Sequence, residues 1–208
     1  MGHQNTSRAD LLVELWHSWA ERGAALEPGE WDRATRLPGW SVRALYAHVA
    51  PDPAMLAVLR EAVVAGPATV TSGSEILRIF NRPGGVAHAV ADQVATQAQE
   101  TAGSMTPEAL VSRFAETGPA VVAELAALPP DTAVAHPAGT VTLGALREIA
   151  VMEATVHLLD LIDAVGGPPP PAAALRATRD MLADVVDPTA FIEAAAGRTK
   201  EAVLPVMR

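Results

Sequence analysis

The chain has 208 residues, of which half are apolar and only 4% are aromatic. A chain of this length can bury a sizeable core, and its alanine-rich composition favours packed helices over sheets. The net charge of −9 argues against a nucleic-acid partner, because such partners need basic surfaces that neutralise phosphates. The absence of cysteine excludes disulfides, a thiolate nucleophile and a Cys-ligated zinc site.

The chain opens with a polar segment, which does not have the pattern of a signal peptide. No apolar run in the sequence reaches the roughly 20 residues that a membrane-spanning helix needs. We therefore expect a soluble, cytoplasmic protein that binds neither membranes nor nucleic acids.

The first predicted helix covers residues 7–26, where apolar side chains recur at helical spacing. After a loop rich in proline and glycine, Ser41 is a good N-cap for a second helix that runs through His48. Pro51 and Pro53 follow at once. Because proline removes a backbone donor and clashes with the preceding turn, we expect a kink or a restart at about residue 50.

The rest of the chain alternates helical patterns with breaks at proline and glycine. The connector "VAHPAGTVT" (134–142) is compatible with a two-stranded ribbon. We expect an all-α fold with four long helices and extra segments at the C-terminal end. The further predicted helices cover 54–66, 76–82, 86–101, 107–128, 143–165, 173–185 and 187–198.

One face of the helix predicted over 143–165 is apolar except at Glu153 and His157. Residues four apart on a helix lie one above the other, so these two side chains can converge on one point. A buried carboxylate needs compensation. A divalent metal would supply it, with His48 as a third ligand from another helix. The stripe consists of Leu143, Leu146, Ala150, Glu153, His157, Leu161 and Ala164.

The spacing of Glu153 and His157 alone does not establish a metal site. An E-x-x-x-H pair on a helix is more often a surface pair or a locally hydrogen-bonded couple. Asp160, three residues after His157, either orients the second ring nitrogen of the histidine or is solvated. Both readings stay open on the residues alone.

We expect the loop around Trp40 and the segment of Asn81 and Arg82 to line a pocket. Asn81 and Arg82 precede a Pro-Gly-Gly break, where a turn can aim side chains into the mouth of a helical bundle. Arg82 is our candidate for gripping a carboxylate or another anionic group of the substrate or thiol, and its alternative is a plain surface arginine. His88 either lines the pocket or lies on the surface.

Two segments resemble the signatures of the DinB-like superfamily, in its branch of mycothiol-dependent maleylpyruvate isomerases and mycothiol S-transferases. "WDRATRLPGWSVRALYAH", from Trp31 to His48, is similar to W, a short gap, then L/C-P-G-W-[ST]-V-R-D-L-x-A-H-L. "EATVHLLD", from Glu153 to Asp160, is similar to E-x-x-V-H-x-x-D. The resemblance extends over nearly the whole chain.

This resemblance implies an antiparallel four-helix bundle in which His48, Glu153 and His157 hold a divalent metal, usually zinc. It also implies mycothiol as a co-substrate, whose thiol would bind the open metal position and become a thiolate. We expect one DinB-like domain over 1–208, with the core bundle at about 8–166 and a C-terminal extension at 167–208.

The sequence departs from the family pattern at three places. Ala44 stands where the family usually has aspartate, and Pro51-Asp52-Pro53 replaces a smooth helix after His48. The chain also ends near residue 208, without the extra C-terminal domain of the true isomerase. We therefore expect a transferase, or an isomerase-like relative recruited to a specialised metabolite, in preference to isomerisation of maleylpyruvate itself.

Three functions compete at this point. The first is a metal- and mycothiol-dependent transferase or isomerase acting on an electrophilic small molecule. The second is a thiol-independent lyase, cyclase or hydrolase that uses the metal as a Lewis acid, and the third is a non-catalytic metal-binding or stress protein. Metal content separates the third from the others, and thiol dependence separates the first two. The protein would be a monomer or a homodimer.

Overall fold

A computed structural model describes residues 7–200 and 202–206. The ends of the expected 1–208 domain, residues 1–6 and 207–208, lie outside the described residues. The elements are α1 (Arg8–Ala24), α2 (Val42–Val49), α3 (Met55–Glu61), α4 (Gly73–Asn81), α5 (Val86–Ser104), α6 (Pro107–Ser112), a π-helical turn (Arg113–Thr117), α7 (Gly118–Leu125), β1 (Ala133–His136), β2 (Gly139–Thr142), α8 (Leu143–Val165), α9 (Ala172–Val185) and α10 (Pro188–Ala195).

Several helices begin at residues whose side chains cap them. The Ser41 hydroxyl accepts a hydrogen bond from the amide of Ala44, and Thr142 caps α8 in the same way through Ala145. Each cap satisfies an amide that the first helical turn leaves without a partner. Since α2 ends at Val49, the predicted interruption near residue 50 is confirmed.

The helix predicted over 54–66 is too long, because α3 ends at Glu61. The chain instead turns toward β1, where the amide of Val64 donates to the carbonyl of Ala133 at 3.0 Å and Val63 pairs with Val134. Valine is β-branched and favours such extended pairing over a helix. The ribbon itself is confirmed, since β1 and β2 pair antiparallel with Ala133 opposite Thr142.

The predicted helix over 107–128 is also not continuous, because a π-helical turn separates α6 from α7. Pro119 has no amide proton, so the regular hydrogen bond four residues back cannot form. Gly118 packs closely at this point, and a Cβ atom there would lie 2.6 Å from Trp16 Cδ1 and 2.9 Å from Pro51 Cγ. The π-helical turn thus determines the direction in which α7 packs against α1 and the end of α2.

The core lies between α1, α2, the α6–α7 segment and α8, and it is built around five aromatic side chains. Trp19 stacks on Phe114 with 5.2 Å between ring centroids, and the Tyr46 hydroxyl donates to the carbonyl of Trp19 at 3.0 Å. The expected all-α, DinB-like bundle is confirmed. We call this the aromatic cluster: Trp16, Trp19, Trp31, Tyr46 and Phe114.

The elements outside this core surround it on two sides. Helix α5 packs against α2 and α4, and α9 packs against α8 and α4. Across the described part of the chain, no helix combines the length and apolar character needed to cross a membrane.

Candidate metal centre

Three side chains from two helices converge beside the aromatic cluster. His48 lies on the last turn of α2, and Glu153 and His157 lie one turn apart on α8. One ligand atom of each residue lies within 4.8 Å of those of the other two. The Nε2 atom of His157 is 3.3 Å from a carboxylate oxygen of Glu153, and the two imidazole rings are 5.1 Å apart and nearly perpendicular.

The far side of the His157 ring is held by Asp160. The Nδ1 atom lies 2.8 Å from one carboxylate oxygen of Asp160, and Arg36 binds the other oxygen through Nε and Nη2, each at 2.6 Å. An ionised carboxylate can only accept hydrogen bonds, so Nδ1 of His157 is the donor. The Nε2 atom of the same ring faces Glu153 and His48. This hydrogen bond and the burial of Asp160 exclude the solvated alternative, whereas a role of Asp160 in orienting a metal ligand stays a prediction.

The two histidines of the centre have opposite protonation tendencies in the metal-free protein. Burial alone would lower the pKa of His157, but hydrogen bonds and charge from Asp160 and Glu153 outweigh it and raise the pKa to about 9. Burial and the nearby charge of His157 lower the pKa of His48. For Asp160, burial favours protonation, but His157 and Arg36 prevail and lower the pKa. At neutral pH the centre thus contains a neutral His48 beside a protonated His157.

The ring of His48 is positioned by an aromatic neighbour. Trp40 contacts it edge to face, with 5.1 Å between the ring centroids. Within the described residues, neither ring nitrogen of His48 takes part in a hydrogen bond. A half-buried imidazole without a protein partner retains a lone pair that is available to a ligand.

The donor set of the centre suits a divalent metal. Two imidazole nitrogens and one carboxylate oxygen are typical zinc ligands, at about 2.0–2.2 Å from the ion. Atoms bound to one such ion lie within roughly 4.4 Å of one another, so the observed spread of 4.8 Å requires only small side-chain rotations. Metal binding would displace the Nε2 proton of His157.

A cavity of about 660 Å³ reaches His48 from outside the centre. The first half of the α8 stripe, Leu143, Leu146 and Ala150, lines this cavity and also packs in or against the core. The wall from α5 carries three polar side chains among apolar ones, whereas the walls from α1, α7 and α8 are mainly apolar. Among the lining residues are Leu12, Trp16, Gln93, Gln97, Thr101, Arg113, Val122, Leu143, Leu146, Arg147 and Ala150.

The other residues predicted to bind substrate or thiol do not line this cavity. Trp40 contacts His48 but is not among the residues that line the cavity. Asn81 donates from its side-chain amide to the carbonyl of Leu77 at 3.1 Å. Arg82 and His88 are exposed, and the lining includes neither of them nor Asn81. A role of these residues in binding substrate or thiol stays a prediction.

No sequence motif singled out Arg36, Arg113 or Arg147 as residues near the centre or the cavity. Arg36 lies within the segment that resembles the family signature, so its position was visible although its partner was not. No spacing singles out Arg113, because the π-helical turn changes the direction of its side chain relative to a regular helix. Gln93 and Gln97 on α5 also line the cavity. Their spacing of four residues indicates that they share one helix face.

A comparison with known families matches this chain to the model of the mycothiol maleylpyruvate isomerase N-terminal domain over residues 12–162. The match extends from α1 to α8 and includes His48, Glu153 and His157. No curated protein and no solved structure matches the chain.

Proposed function

The chain belongs to the mycothiol maleylpyruvate isomerase N-terminal domain family, and on that premise we propose that it is a metal-dependent enzyme that transfers mycothiol to an electrophilic small molecule. His48, Glu153 and His157 would hold the metal, for which zinc is the best candidate. The observation that carries the proposal is the convergence of these three ligand atoms within 4.8 Å, and His48 also lines a cavity large enough for a substrate.

The family and the donor set together support thiol chemistry. When bound by these three residues, zinc would stabilise the deprotonated form of a coordinating thiol, which is its nucleophilic form. A chain without cysteine can perform such chemistry because the sulfur arrives with the co-substrate.

The residues around the centre would prepare it for binding. Asp160 keeps the proton of His157 on Nδ1, so that Nε2 is the ligand atom. Arg36 neutralises Asp160 and keeps its carboxylate from turning toward the metal. Trp40 limits the rotation of the His48 ring. These contacts pre-order the site before a metal or substrate arrives.

The cavity favours an enzyme over a non-catalytic metal-binding protein. Its volume of about 660 Å³ lies in the range of roughly 300–1,000 Å³ that is typical of small-molecule sites. A protein that only stores or senses a metal does not need such a space beside the ligands. The amide and hydroxyl groups of Gln93, Gln97 and Thr101 offer hydrogen bonds to a polar thiol.

The metal is tested by elemental analysis of protein purified without a chelator or a histidine tag. We expect about one zinc per chain, and its loss in His48→Ala and His157→Ala. His17→Ala is the matched control, because His17 is exposed on α1 and lies outside the centre. Full metal content in both ligand variants would contradict the assignment.

Thiol dependence is tested with the zinc-loaded protein, mycothiol and monochlorobimane as a general electrophile. We expect a mycothiol–bimane adduct to form faster than without enzyme, and we expect chelation to stop this acceleration. A search of candidate substrates by mass spectrometry then looks for other adducts. Turnover of any substrate without thiol, but still sensitive to chelators, would favour Lewis-acid catalysis and refute thiol transfer.

A further inference from the structure

Two arginines project into the cavity from different elements. Arg113 comes from the π-helical turn between α6 and α7, and Arg147 comes from the first half of α8. Both residues are half-buried. Neither forms an ion pair with a carboxylate within the part of the chain that the structure describes. The cavity therefore contains two guanidinium groups whose charge the protein does not neutralise.

Arg147 is held in place by an uncharged partner. Its Nη2 atom donates to the carbonyl of Leu125 at 2.7 Å, which leaves the other N–H groups of the guanidinium available. Burial lowers the pKa of Arg147, because removing a cation from water is unfavourable. Arginine nevertheless stays charged in proteins, so an anion in the cavity would relieve this cost.

The acidic side chain in the cavity lining does not supply that anion. Asp52 is exposed and its carboxylate accepts the amide proton of Ala54 at 2.8 Å, in the turn before α3. It forms no ion pair with Arg113 or Arg147 among the described residues. The two guanidiniums thus remain open to a ligand.

The surfaces around these charges are apolar. The side chains from α1, α7 and α8 that line the same cavity as the arginines and His48 are mainly apolar. A ligand that fits these surroundings has an apolar body and one anionic group. The apolar lining includes Leu12, Trp16, Val122, Leu125, Leu143, Leu146 and Ala150.

We propose that the electrophilic substrate is an apolar organic acid, whose carboxylate binds Arg113 and Arg147 and whose body lies along the apolar walls toward His48. A guanidinium binds a carboxylate through two parallel hydrogen bonds, which fixes the orientation of the ligand as well as its charge. The assignment of this ligand as a substrate rests on the proposed function. The anion site itself does not depend on metal or thiol chemistry.

The experiment compares 4-phenylbutyrate with 4-phenyl-1-butanol by calorimetric titration of the purified protein. The two probes share an apolar body and differ in the anionic group. We expect the acid to bind roughly tenfold to a hundredfold more tightly, as charge-assisted hydrogen bonds do. Arg113→Gln and Arg147→Gln should each remove about a tenfold preference, with little change in the affinity for the alcohol.

Matched variants separate the guanidiniums from general effects. Arg176→Gln removes an exposed arginine on α9 and should leave both affinities unchanged. Arg147→Lys keeps a charge and a donor near the Leu125 carbonyl and should retain part of the preference. If Arg147→Gln does not fold, as judged by its circular dichroism melt, Arg113→Gln alone tests the proposal. The Arg113 side chain makes no hydrogen bond within the described residues, so its replacement should not disturb folding.

Three results would overturn the proposal. The first is equal affinity for the acid and the alcohol. The second is a preference that survives both glutamine variants but disappears with a chelator, because the carboxylate would then bind the metal. The third is a preference lost in Arg82→Gln alone, which would assign the anion to the exposed arginine. Since no thiol is present, failure of mycothiol transfer would leave these results intact.

Discussion

The aromatic cluster and the His48–Glu153–His157 centre each take a residue from α2, Tyr46 and His48, and they differ in how their polar atoms are paired. Tyr46 and His48 are two residues apart on α2. In the cluster, the Tyr46 hydroxyl donates to Trp19, and the Trp19 indole donates to the carbonyl of Ala154 on α8. The polar atoms of Trp19 and Tyr46, the two fully buried rings that carry one, thus have protein partners.

In the centre, by contrast, not every polar atom has a hydrogen-bond partner within the described residues. The nitrogens of His48 have no hydrogen bond within the described residues, and the side chain of Glu153 is 37% exposed. Among the described residues, the fully buried side-chain atoms without a hydrogen bond are Arg43 Nε and Thr178 Oγ1, so the nitrogens of His48 are accessible and can accept a ligand. On α2, Tyr46 thus belongs to the buried core, whereas His48, two residues later, keeps ring nitrogens without a hydrogen bond within the described residues.

The largest expected effect comes from breaking the aromatic cluster. Phe114 contacts Trp16, Trp19 and Tyr46, so Phe114→Ala leaves a cavity that its neighbours cannot fill. We expect the free energy of unfolding to fall by about 3–5 kcal/mol, measured by urea denaturation. Zinc content below the melting temperature should remain unchanged.

Phe191→Ala is the matched control for this variant. Phe191 lies on α10 and is only half-buried, so the same change in side chain should cost less than about 1.5 kcal/mol. Equal losses for Phe114→Ala and Phe191→Ala would show that the aromatic cluster has no special share in stability.

The next effect concerns the partner of His157 behind the centre. Asp160→Asn removes the charge that orients the ring, and we expect the affinity for zinc to fall about 10- to 100-fold, measured by competition with a chelator. Asp163→Asn is the control, because Asp163 is exposed on the same helix. An unchanged affinity in Asp160→Asn would mean that Asp160 only holds Arg36.

Much of this arrangement could be predicted from the sequence, because it depends on local chemistry. The caps at Ser41 and Thr142 follow from the side-chain preferences of helix N-termini. The position of His48 follows from a helix that starts at its cap and ends before Pro51. The four-residue spacing of Glu153 and His157 places both on one helix face.

The rest depends on long-range packing and could not be predicted. Val63 and Val64 leave the helical pattern because β1, about 70 residues later in the chain, offers backbone partners. The apolar stripe of α8 packs in or against the core, but its spacing does not show that Leu143, Leu146 and Ala150 also line a cavity. Arg36 and Asp160 meet across 124 residues, a separation that no local pattern encodes.

The pH dependence of stability should come from the centre, because the aromatic cluster should not titrate near neutrality. In chelated protein, the pKa of His157 is about 9 when folded, against 6.5 as its ordinary value. A raised pKa stabilises the fold fully below pH 6.5, and this contribution is lost as the pH rises to 9. The slope is at most about 1.4 kcal/mol per pH unit.

Urea denaturation between pH 6.5 and 9 measures this slope. The pKa values of His48 and His136 are lowered, so their contributions change below pH 6.5 and with the opposite sign. His157→Gln should therefore flatten the dependence in this window. A slope that persists in His157→Gln would assign the titration to another group.

The smallest expected effect comes from Tyr46→Phe, which removes one hydroxyl from the aromatic cluster two residues before His48. The carbonyl of Trp19 also lies within α1 and keeps its helical surroundings, so only one net hydrogen bond is lost. We expect a loss of about 0.5–1.5 kcal/mol in unfolding free energy and no change in zinc affinity. The same shared helix makes the variant a strict test: if zinc affinity fell together with stability, the cluster would be part of the metal centre's support, and the two faces of α2 would not act independently.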